Sequence, residues 1–154
     1  MANSGAPESL IIGEDWQLHY DYSCGRVVTR FLRGLEQGQI EATVCPKCEM
    51  AWLPPRGYCE RCFVETNKWV RVGPEGTLEA FTIVTQEFDN LPKPPYVIAF
   101  CRLDGADTAF ANFLSMPLED VEKAATQLTP GTRIRVQFHP SRSARITDFH
   151  YELK

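Results

Sequence analysis

The chain has 154 residues, of which 44% are hydrophobic and 23% charged, and this composition is typical of a soluble globular protein. It contains no run of eighteen apolar residues, which excludes a transmembrane helix. The formal net charge of −4 argues against an extended contact with nucleic acid, because such contacts need a basic surface. The length allows one ordinary domain or two small modules that share a core, and the pattern of elements favours the second arrangement.

The first 38 residues predict a lead-in followed by an amphipathic helix. Residues 1 to 15 are polar and lack the basic start and apolar centre of a secretory signal, so we expect a cytoplasmic protein with reduced thiols. A helix is predicted from Val27 to Gln37, with Gly38 placed to end it. One stripe of this helix is apolar and consists of Val28, Phe31, Leu32 and Leu35. Such a stripe either packs on the core or docks on a partner, and the sequence leaves both open.

Residues 39–72 contain two Cys-x-x-Cys pairs separated by ten residues, in the stretch VCPKCEMAWLPPRGYCERC. A two-residue gap lets both thiolates of a pair approach one ion, and two pairs complete a tetrahedron. The spacing therefore predicts a zinc ribbon with the ligands Cys45, Cys48, Cys59 and Cys62. Four protein thiolates leave no position for water or substrate, so the zinc is expected to be structural. Iron in the same ligand set, as in rubredoxin, stays open. A redox pair is the weaker alternative, because that motif expects one pair beside a βαβ unit.

Other residues of this sequence also have two interpretations. The residues between the cysteine pairs either form a surface that a partner covers or pack against the C-terminal half, and they are Trp52, Leu53, Pro54 and Pro55. Cys24 and Cys101 have no companion thiol or base in sequence, and we expect both to be packing residues rather than nucleophiles. His139 and His150 stand beside aromatic residues and are predicted to be structural.

The C-terminal half shows five strand patterns after a turn-rich boundary at residues 73–76. They cover residues 77–85, 96–103, 108–114, 133–139 and 145–153. A short helix is predicted within residues 117–128, between the third and fourth strands. This order is typical of the OB-fold, a five-stranded, partly open Greek-key barrel. The predicted fold is therefore mainly β, with an N-terminal helical segment (1–38), a rubredoxin-like zinc ribbon (39–72) and a five-stranded OB-fold barrel (73–154).

Residues 130–146 carry four arginines and no acid, a patch that suits a small anionic group better than a duplex. These candidates are Arg133, Arg135, Arg142 and Arg145. The sequence has no Gly-rich phosphate loop, paired-carboxylate signature or Ser/His/Asp motif. We therefore predict no catalytic residue in this chain.

From about Tyr20 onwards, the sequence resembles the DUF35 family, whose members are acyl-CoA-associated OB-fold proteins with a rubredoxin-like zinc ribbon. The resemblance rests on the order of the amphipathic segment, the ribbon CPKC...WLPPRGYCERC and the five-stranded half. The Pro54–Arg56 stretch shortly before the third cysteine is its most specific element after the cysteine spacing. The sequence differs at Glu49, which follows the second cysteine where many such ribbons have Gly.

This resemblance implies a role as a small partner subunit of thiolase-like enzymes, such as acetoacetyl-CoA thiolases, steroid side-chain aldolases and benzoylsuccinyl-CoA thiolase. In such complexes the thiolase-fold chain supplies the catalytic residues, and an acyl-CoA ester is the substrate of the complex. The resemblance thus implies a non-catalytic, zinc-containing subunit in a hetero-oligomer, with the helix and ribbon as docking surface. The four arginines of residues 130–146 become candidates for contacts to CoA phosphates, by charge alone.

A different class of function is single-stranded nucleic-acid binding, because zinc ribbons and OB-folds both occur in such proteins. Phe110 and Phe113 would be the stacking residues, but a spacing of three places them on opposite faces of a strand. The acidic balance also opposes this interpretation. An independent enzyme is the third and weakest alternative.

Overall fold

The computed structural model describes residues 12–13, 18–89 and 91–154, and it confirms a mainly β fold. The N-terminal part contains helix α1 (Gly25–Glu36) and strands β1 (Glu41–Val44), β2 (Ala51–Trp52) and β3 (Lys68–Arg71). The C-terminal part contains strands β4 (Glu75–Val84), β5 (Tyr96–Leu103), β6 (Phe110–Ser115), β7 (Arg133–Phe138) and β8 (Phe149–Leu153), with helix α2 (Val121–Gln127) between β6 and β7. None of the helices in these residues is long and apolar enough to cross a bilayer.

Helix α1 ends where the sequence predicted. Gly38 adopts a φ of 73°, and its N–H donates to the carbonyl of Leu35 at 2.9 Å. The N–H of Gln39 donates to the carbonyl of Gly34 at 2.8 Å, which completes a Schellman motif. Of the predicted apolar stripe, Phe31 and Leu35 are buried, so these two side chains pack on the core. The ring of Phe31 meets that of Phe110 edge-on, with 5.9 Å between their centroids.

The ribbon is a three-stranded antiparallel sheet with the order β2–β1–β3. Thr43, in the central strand, is fully buried. Its hydroxyl donates to the carbonyl of Arg56 at 3.0 Å and accepts from the N–H of the same residue at 2.9 Å. This pair of bonds ties the loop between the two cysteine pairs to the middle of the sheet.

The five C-terminal strands form a closed barrel in the order β4–β5–β6–β8–β7. Closure depends on a short parallel contact between β6 and β8, with only two residue pairs, Leu114 with Tyr151 and Ser115 with Glu152. Beside this contact the side-chain amide of Asn112, a buried residue, donates to the carbonyls of Ile146 and Phe149 at 2.9 and 3.0 Å. A side chain therefore supplies bonds that the short ladder lacks.

Two predicted strands begin later than their patterns suggested. The last strand was predicted from residue 145, but residues 146–148 form a 3-10 turn. The buried carboxylate of Asp148 causes this, because it accepts the N–H groups of Ser143 and Arg145 at 3.0 and 3.1 Å. The third strand was predicted from residue 108, but it begins at Phe110 because Asp107 and Thr108 bond to the ribbon instead.

The ribbon and the barrel meet along a seam between β2 and the loop after β5. The N–H of Ala51 donates to the carboxylate of Asp107 at 2.8 Å, and the N–H of Asp107 donates back to the carbonyl of Ala51 at 2.9 Å. The hydroxyl of Thr108 accepts from the N–H of Leu53 and donates to its carbonyl, both at 2.7 Å. A single hydrophobic core continues across this seam from α1 through the ribbon into the barrel.

This packing decides between the two interpretations of residues 52–55. Trp52, Leu53 and Pro55 are buried within the chain, and only Pro54 is exposed. The suggestion that a partner covers this apolar stretch is therefore wrong for three of its four residues. Leu53 belongs to the core shared with the barrel, and Trp52 packs in the small cluster of Cys45 and Cys59, so the stretch leaves little apolar area for another molecule.

Candidate functional site

The four predicted ligands lie together at one end of the ribbon sheet. Their Sγ atoms are all within 4.8 Å of one another, and those of Cys48 and Cys59 are 3.7 Å apart. Four sulfurs at about 2.3 Å from one ion in a tetrahedron lie roughly 3.8 Å from each other. The thiols could therefore hold a metal ion such as zinc, and within the described residues they form the one cluster of His, Cys, Asp or Glu that could do so.

Two turns of the same construction present these thiols. In the first turn, the N–H of Cys45 donates to the carbonyl of Met50 at 2.9 Å, and the N–H of Glu49 donates to the carbonyl of Cys45 at 3.0 Å. The second turn repeats both bonds at 2.9 Å with Cys59, Val64 and Phe63. The repeated Cys-x-x-Cys sequence is thus a repeated structure, and each turn offers two sulfurs to the same point.

Glu49 and Phe63 occupy matching positions, each directly after the second cysteine of its pair. Their φ angles are 60° and 53°, in the left-handed region that favours glycine. This explains why Gly is common at the position in related ribbons. The departure at Glu49 does not change the turn, since its hydrogen bonds match those of the second turn.

The electrostatics of the cluster favour a bound cation. Burial raises the pKa of Cys59, but N–H donors of Cys62 and Arg61 outweigh it, and that pKa falls to about 6. Burial and the neighbouring thiols raise the pKa of Cys62 to about 12. The N–H groups of Lys47 and Cys48 each lie 3.4 Å from the sulfur of Cys45. Four thiolates can coexist here only with a cation among them, which couples metal binding to loss of protons.

Arg133, the first predicted anion-binding arginine, already has anionic partners within the chain. Its guanidinium binds the carboxylate of Asp104 at 2.6 and 2.9 Å and that of Glu75 at 3.2 Å. The guanidinium lowers the pKa of Asp104, while the ammonium of Lys154 and Arg133 together lower that of Glu75. Arg135, two residues along β7, lies 3.4 Å from Glu152.

Arg142 and Arg145 lie past the other end of β7. The guanidinium of Arg142 donates to the carbonyls of Glu36 and His139 at 2.8 and 2.7 Å, so it binds the C-terminal end of α1. Arg145 precedes the 3-10 turn. Since β7 alone spans roughly 17 Å, the structure does not gather the four predicted arginines around one point.

Sequence reasoning missed a second group of arginines, which lies on α1. Arg26, Arg30 and Arg33 line a cleft of about 790 Å³ along the helix. Their i, i+4 and i+7 spacing is visible in the sequence and could have revealed the group. The prediction considered only the apolar face of this helix and assigned no role to the cationic face opposite it.

The remaining candidates lie in packed positions. Cys101 is fully buried, and burial raises the pKa of its thiol to about 12, which fits packing and not a nucleophile. The rings of His139 and His150 stack with centroids 4.9 Å apart. Phe110 is buried in the core, so the pair of stacking phenylalanines required for nucleic-acid binding is not formed with Phe113.

The comparisons with known proteins agree with this architecture. Residues 69–139 match the family model described as "ChsH2, C-terminal OB-fold domain". A DUF35-family protein of unknown function from Sulfolobus solfataricus is similar over 84% of this chain and 87% of its own, with 21% identity and a TM-score of 0.62. A chain of the Ltp2–ChsH2(DUF35) aldolase is similar over 86% of this chain and 98% of its own, with 15% identity and a TM-score of 0.67. No curated protein matches the chain. These likenesses show a DUF35-type OB-fold.

Proposed function

We propose that this chain is a non-catalytic accessory subunit of an acyl-CoA enzyme complex and that it belongs to the DUF35 family. The observation that carries the proposal is the match of residues 69–139 to the ChsH2 C-terminal OB-fold domain. A second ChsH2 likeness points the same way, because the solved aldolase is named as an assembly of Ltp2 with a DUF35 chain. This chain corresponds to 98% of its aligned counterpart there, so the same architecture can serve as a partner subunit.

The cysteines that could take part in chemistry favour a non-catalytic role for this chain. The four clustered thiols surround one point, and an ion bound there would have all four positions filled by protein sulfur. Cys101 is enclosed in the barrel, beyond the reach of a substrate. The catalytic cysteine and histidines of a thiolase-type reaction would therefore come from the partner, which we propose has a thiolase fold.

We propose zinc as the bound metal and a structural role for it. The soft tetrathiolate set suits zinc and also iron, and colour separates the two, because a zinc site is colourless and an iron site of this type is red. Metal analysis of the purified chain is expected to give one zinc per chain. A red protein with stoichiometric iron would overturn the zinc assignment and leave the accessory role untouched.

The decisive experiment is affinity purification of the tagged chain from its source cells, followed by mass spectrometry and native mass determination. We expect a hetero-oligomer with a thiolase-fold enzyme. The complex should turn over acyl-CoA esters, and the isolated chain should not. A stable monomer that copurifies with no such enzyme would contradict the proposal, and so would CoA-ester turnover by the isolated chain.

A variant pair sharpens this test. Replacing Cys48 and Cys62 by Ser removes one ligand from each turn, while Cys24→Ser changes a thiol outside the cluster. If the ribbon contributes docking surface, the double variant should lose copurification of the partner and Cys24→Ser should retain it. Partner capture by a chain without metal would exclude the ribbon from docking.

A further inference from the structure

The cleft along α1 differs in composition from a pocket for an apolar group. Its ten lining residues include three arginines, two glutamines, two glycines, a serine and a threonine, together with the acid Glu41. No aliphatic or aromatic side chain contributes to this lining. Pockets for apolar ligands are lined mainly by hydrophobic side chains, so this lining selects a polar ligand. Three cations against one anion make that ligand anionic.

The three arginines are spaced along the cleft. Arg26 and Arg30 are one helical turn apart, about 6 Å along the axis, and Arg33 lies about 4.5 Å beyond Arg30. A guanidinium binds two oxygens of a phosphate at once, and several in a row favour an anion with charge at more than one place. The row therefore suits two linked phosphates better than one.

Arg30 is held in position at the middle of the row. Its Nε and Nη2 bind both carboxylate oxygens of Glu41 at 3.1 and 2.9 Å, and its guanidinium lies 4.2 Å from the ring centroid of Trp69. The bonds to Glu41 use one edge of the guanidinium and the Trp69 ring covers one of its faces, so Nη1 makes neither of these hydrogen bonds. Neither Arg26 nor Arg33 makes a salt bridge with any residue that the structure describes, so two cations of the cleft are not neutralised there.

The start of α1 adds donors at one end of the cleft. This helix has twelve residues, no acid in its first turn, and no side-chain hydrogen bond from its N-cap residue Cys24. Ser23 and Gly25, which flank this start, both line the cleft. The first N–H groups of a helix lack partners within the helix and favour phosphate oxygens. The N-terminal end of α1 and the row of arginines could thus bind the same anionic ligand.

From this arrangement we propose that the α1 cleft is a binding site for a small molecule that carries a diphosphate, with Arg26, Arg30 and Arg33 as its phosphate ligands. The four arginines of residues 130–146 are poorer candidates, because Arg133 binds two carboxylates and Arg142 binds two carbonyls. The site stands independently of the proposed subunit role, since it uses only residues of this chain.

The test is a calorimetric titration of the full chain with inorganic pyrophosphate at low ionic strength. Two double variants are compared, Arg26→Ala with Arg33→Ala, and Arg135→Ala with Arg145→Ala. Both remove two positive charges and change the formal net charge from −4 to −6 (−4 − 2). We expect the first pair to weaken pyrophosphate binding at least about tenfold and the second less than about twofold. Equal losses of pyrophosphate affinity in the two double variants would show that only net charge matters and would contradict a site in the α1 cleft.

A second measurement needs no variant and uses the glycine amides as reporters. On addition of pyrophosphate, the ¹H–¹⁵N signals of Gly25 and Gly34 should move, while those of Gly105 and Gly131, in barrel loops, should stay. Shifts confined to the barrel glycines would place the anion elsewhere and refute the proposal. Citrate serves as a carboxylate of comparable charge, and binding as tight as that of pyrophosphate would contradict phosphate selectivity. Failure of either test leaves partner copurification, and with it the accessory role, unaffected.

Discussion

The barrel and the ribbon of this molecule are stabilised by different kinds of interior. The barrel encloses large apolar and aromatic side chains that are fully buried, among them Tyr151, Phe149, Leu78 and Ile134. The ribbon has a separate small cluster built on Cys45, Cys59 and Trp52, with the other two thiols packed against it. Burial of apolar area stabilises the barrel without help. The inner side of the ribbon shares the core of the barrel, but its cysteine end lacks such a core, so we expect that end to depend on a bound ion and the barrel not to.

Removal of one predicted metal ligand should have the largest effect on the ribbon relative to the barrel. We expect Cys59→Ser to abolish stoichiometric metal binding and to unfold residues 41–71, because metal-binding free energy of roughly 10 kcal/mol is folding free energy in small metal modules. Hydrogen exchange followed by mass spectrometry should show lost protection in β1 to β3 and retained protection in β4 to β8. Cys24→Ser, which leaves the cluster intact, should behave as the parent chain. Protection of the ribbon without metal would show that its apolar contacts suffice.

The seam between the two halves provides the second test, since it determines how far loss of one half reaches the other. Thr108→Val leaves both the N–H and the carbonyl of Leu53 without their hydroxyl partner, and Asp107→Ala removes the acceptor of the Ala51 N–H. Each orphaned buried group costs about 1–3 kcal/mol and the double variant orphans three of them, so it should lose at least about 3 kcal/mol in urea unfolding. Thr108→Ser keeps the hydroxyl and should lose far less.

The seam variant also reports on coupling. If these hydrogen bonds couple the two halves, loss of metal from the ribbon and unfolding of the barrel should occur as two separate transitions in the double variant. A single transition, unchanged in midpoint, would show that the shared core alone joins ribbon and barrel.

A change confined to the barrel should leave the metal site unaffected. Tyr151 is fully buried, and its hydroxyl donates to the carbonyl of Phe110 at 3.0 Å. Burial raises the pKa of this phenol, so the group stays a donor at all ordinary pH values. Tyr151→Phe should lower the free energy of unfolding by about 1–2 kcal/mol and leave the metal content at its original value. Metal loss in this variant would show that the ribbon depends on the barrel more than the seam indicates.

The parts that the sequence predicted well follow local rules. Strand β5 matches its predicted bounds, residues 96–103, because the segment is a continuous run of mostly apolar residues with strand-favouring aromatic and β-branched side chains. The cluster of four thiols was predicted from the Cys-x-x-Cys spacing, and helix α1 from its stripe and Gly38. The errors arose where distant residues meet. Nothing local indicates that Thr108 bonds to Leu53, 55 residues away. The turn at residues 146–148 is a different case, because the carboxylate of Asp148 makes it with N–H groups only three and five residues away.

The four arginines of residues 130–146 stay a prediction as CoA contacts, and distant residues weaken it. Residues 130–146 contain no acid in sequence, but the fold brings Asp104 and Glu75 to Arg133 from 29 and 58 residues away. Charge runs predict a local excess of charge, and the fold decides whether that excess is neutralised. The predicted domain boundaries at 38 and 72 stay a prediction.

The smallest expected effect concerns Glu49, which follows the second cysteine of the first turn. Glu49 holds a φ of 60° in the first turn, a conformation that costs an ordinary residue about 1 kcal/mol relative to glycine. Glu49→Gly should therefore raise the free energy of unfolding of the metal-bound chain by up to about 1 kcal/mol, because the turn keeps its hydrogen bonds while the side-chain conflict disappears. Glu49→Ala is the matched control, since it removes the same carboxylate but keeps a Cβ, and it should produce little or no gain. Both are measured by urea unfolding with metal present. Equal stabilisation by Gly and Ala would assign the effect to the charge beside the thiolates and not to the backbone. If Gly alone stabilises, the turn is strained at Glu49, and the proposed metal–sulfur bonds would be the interactions that offset this strain.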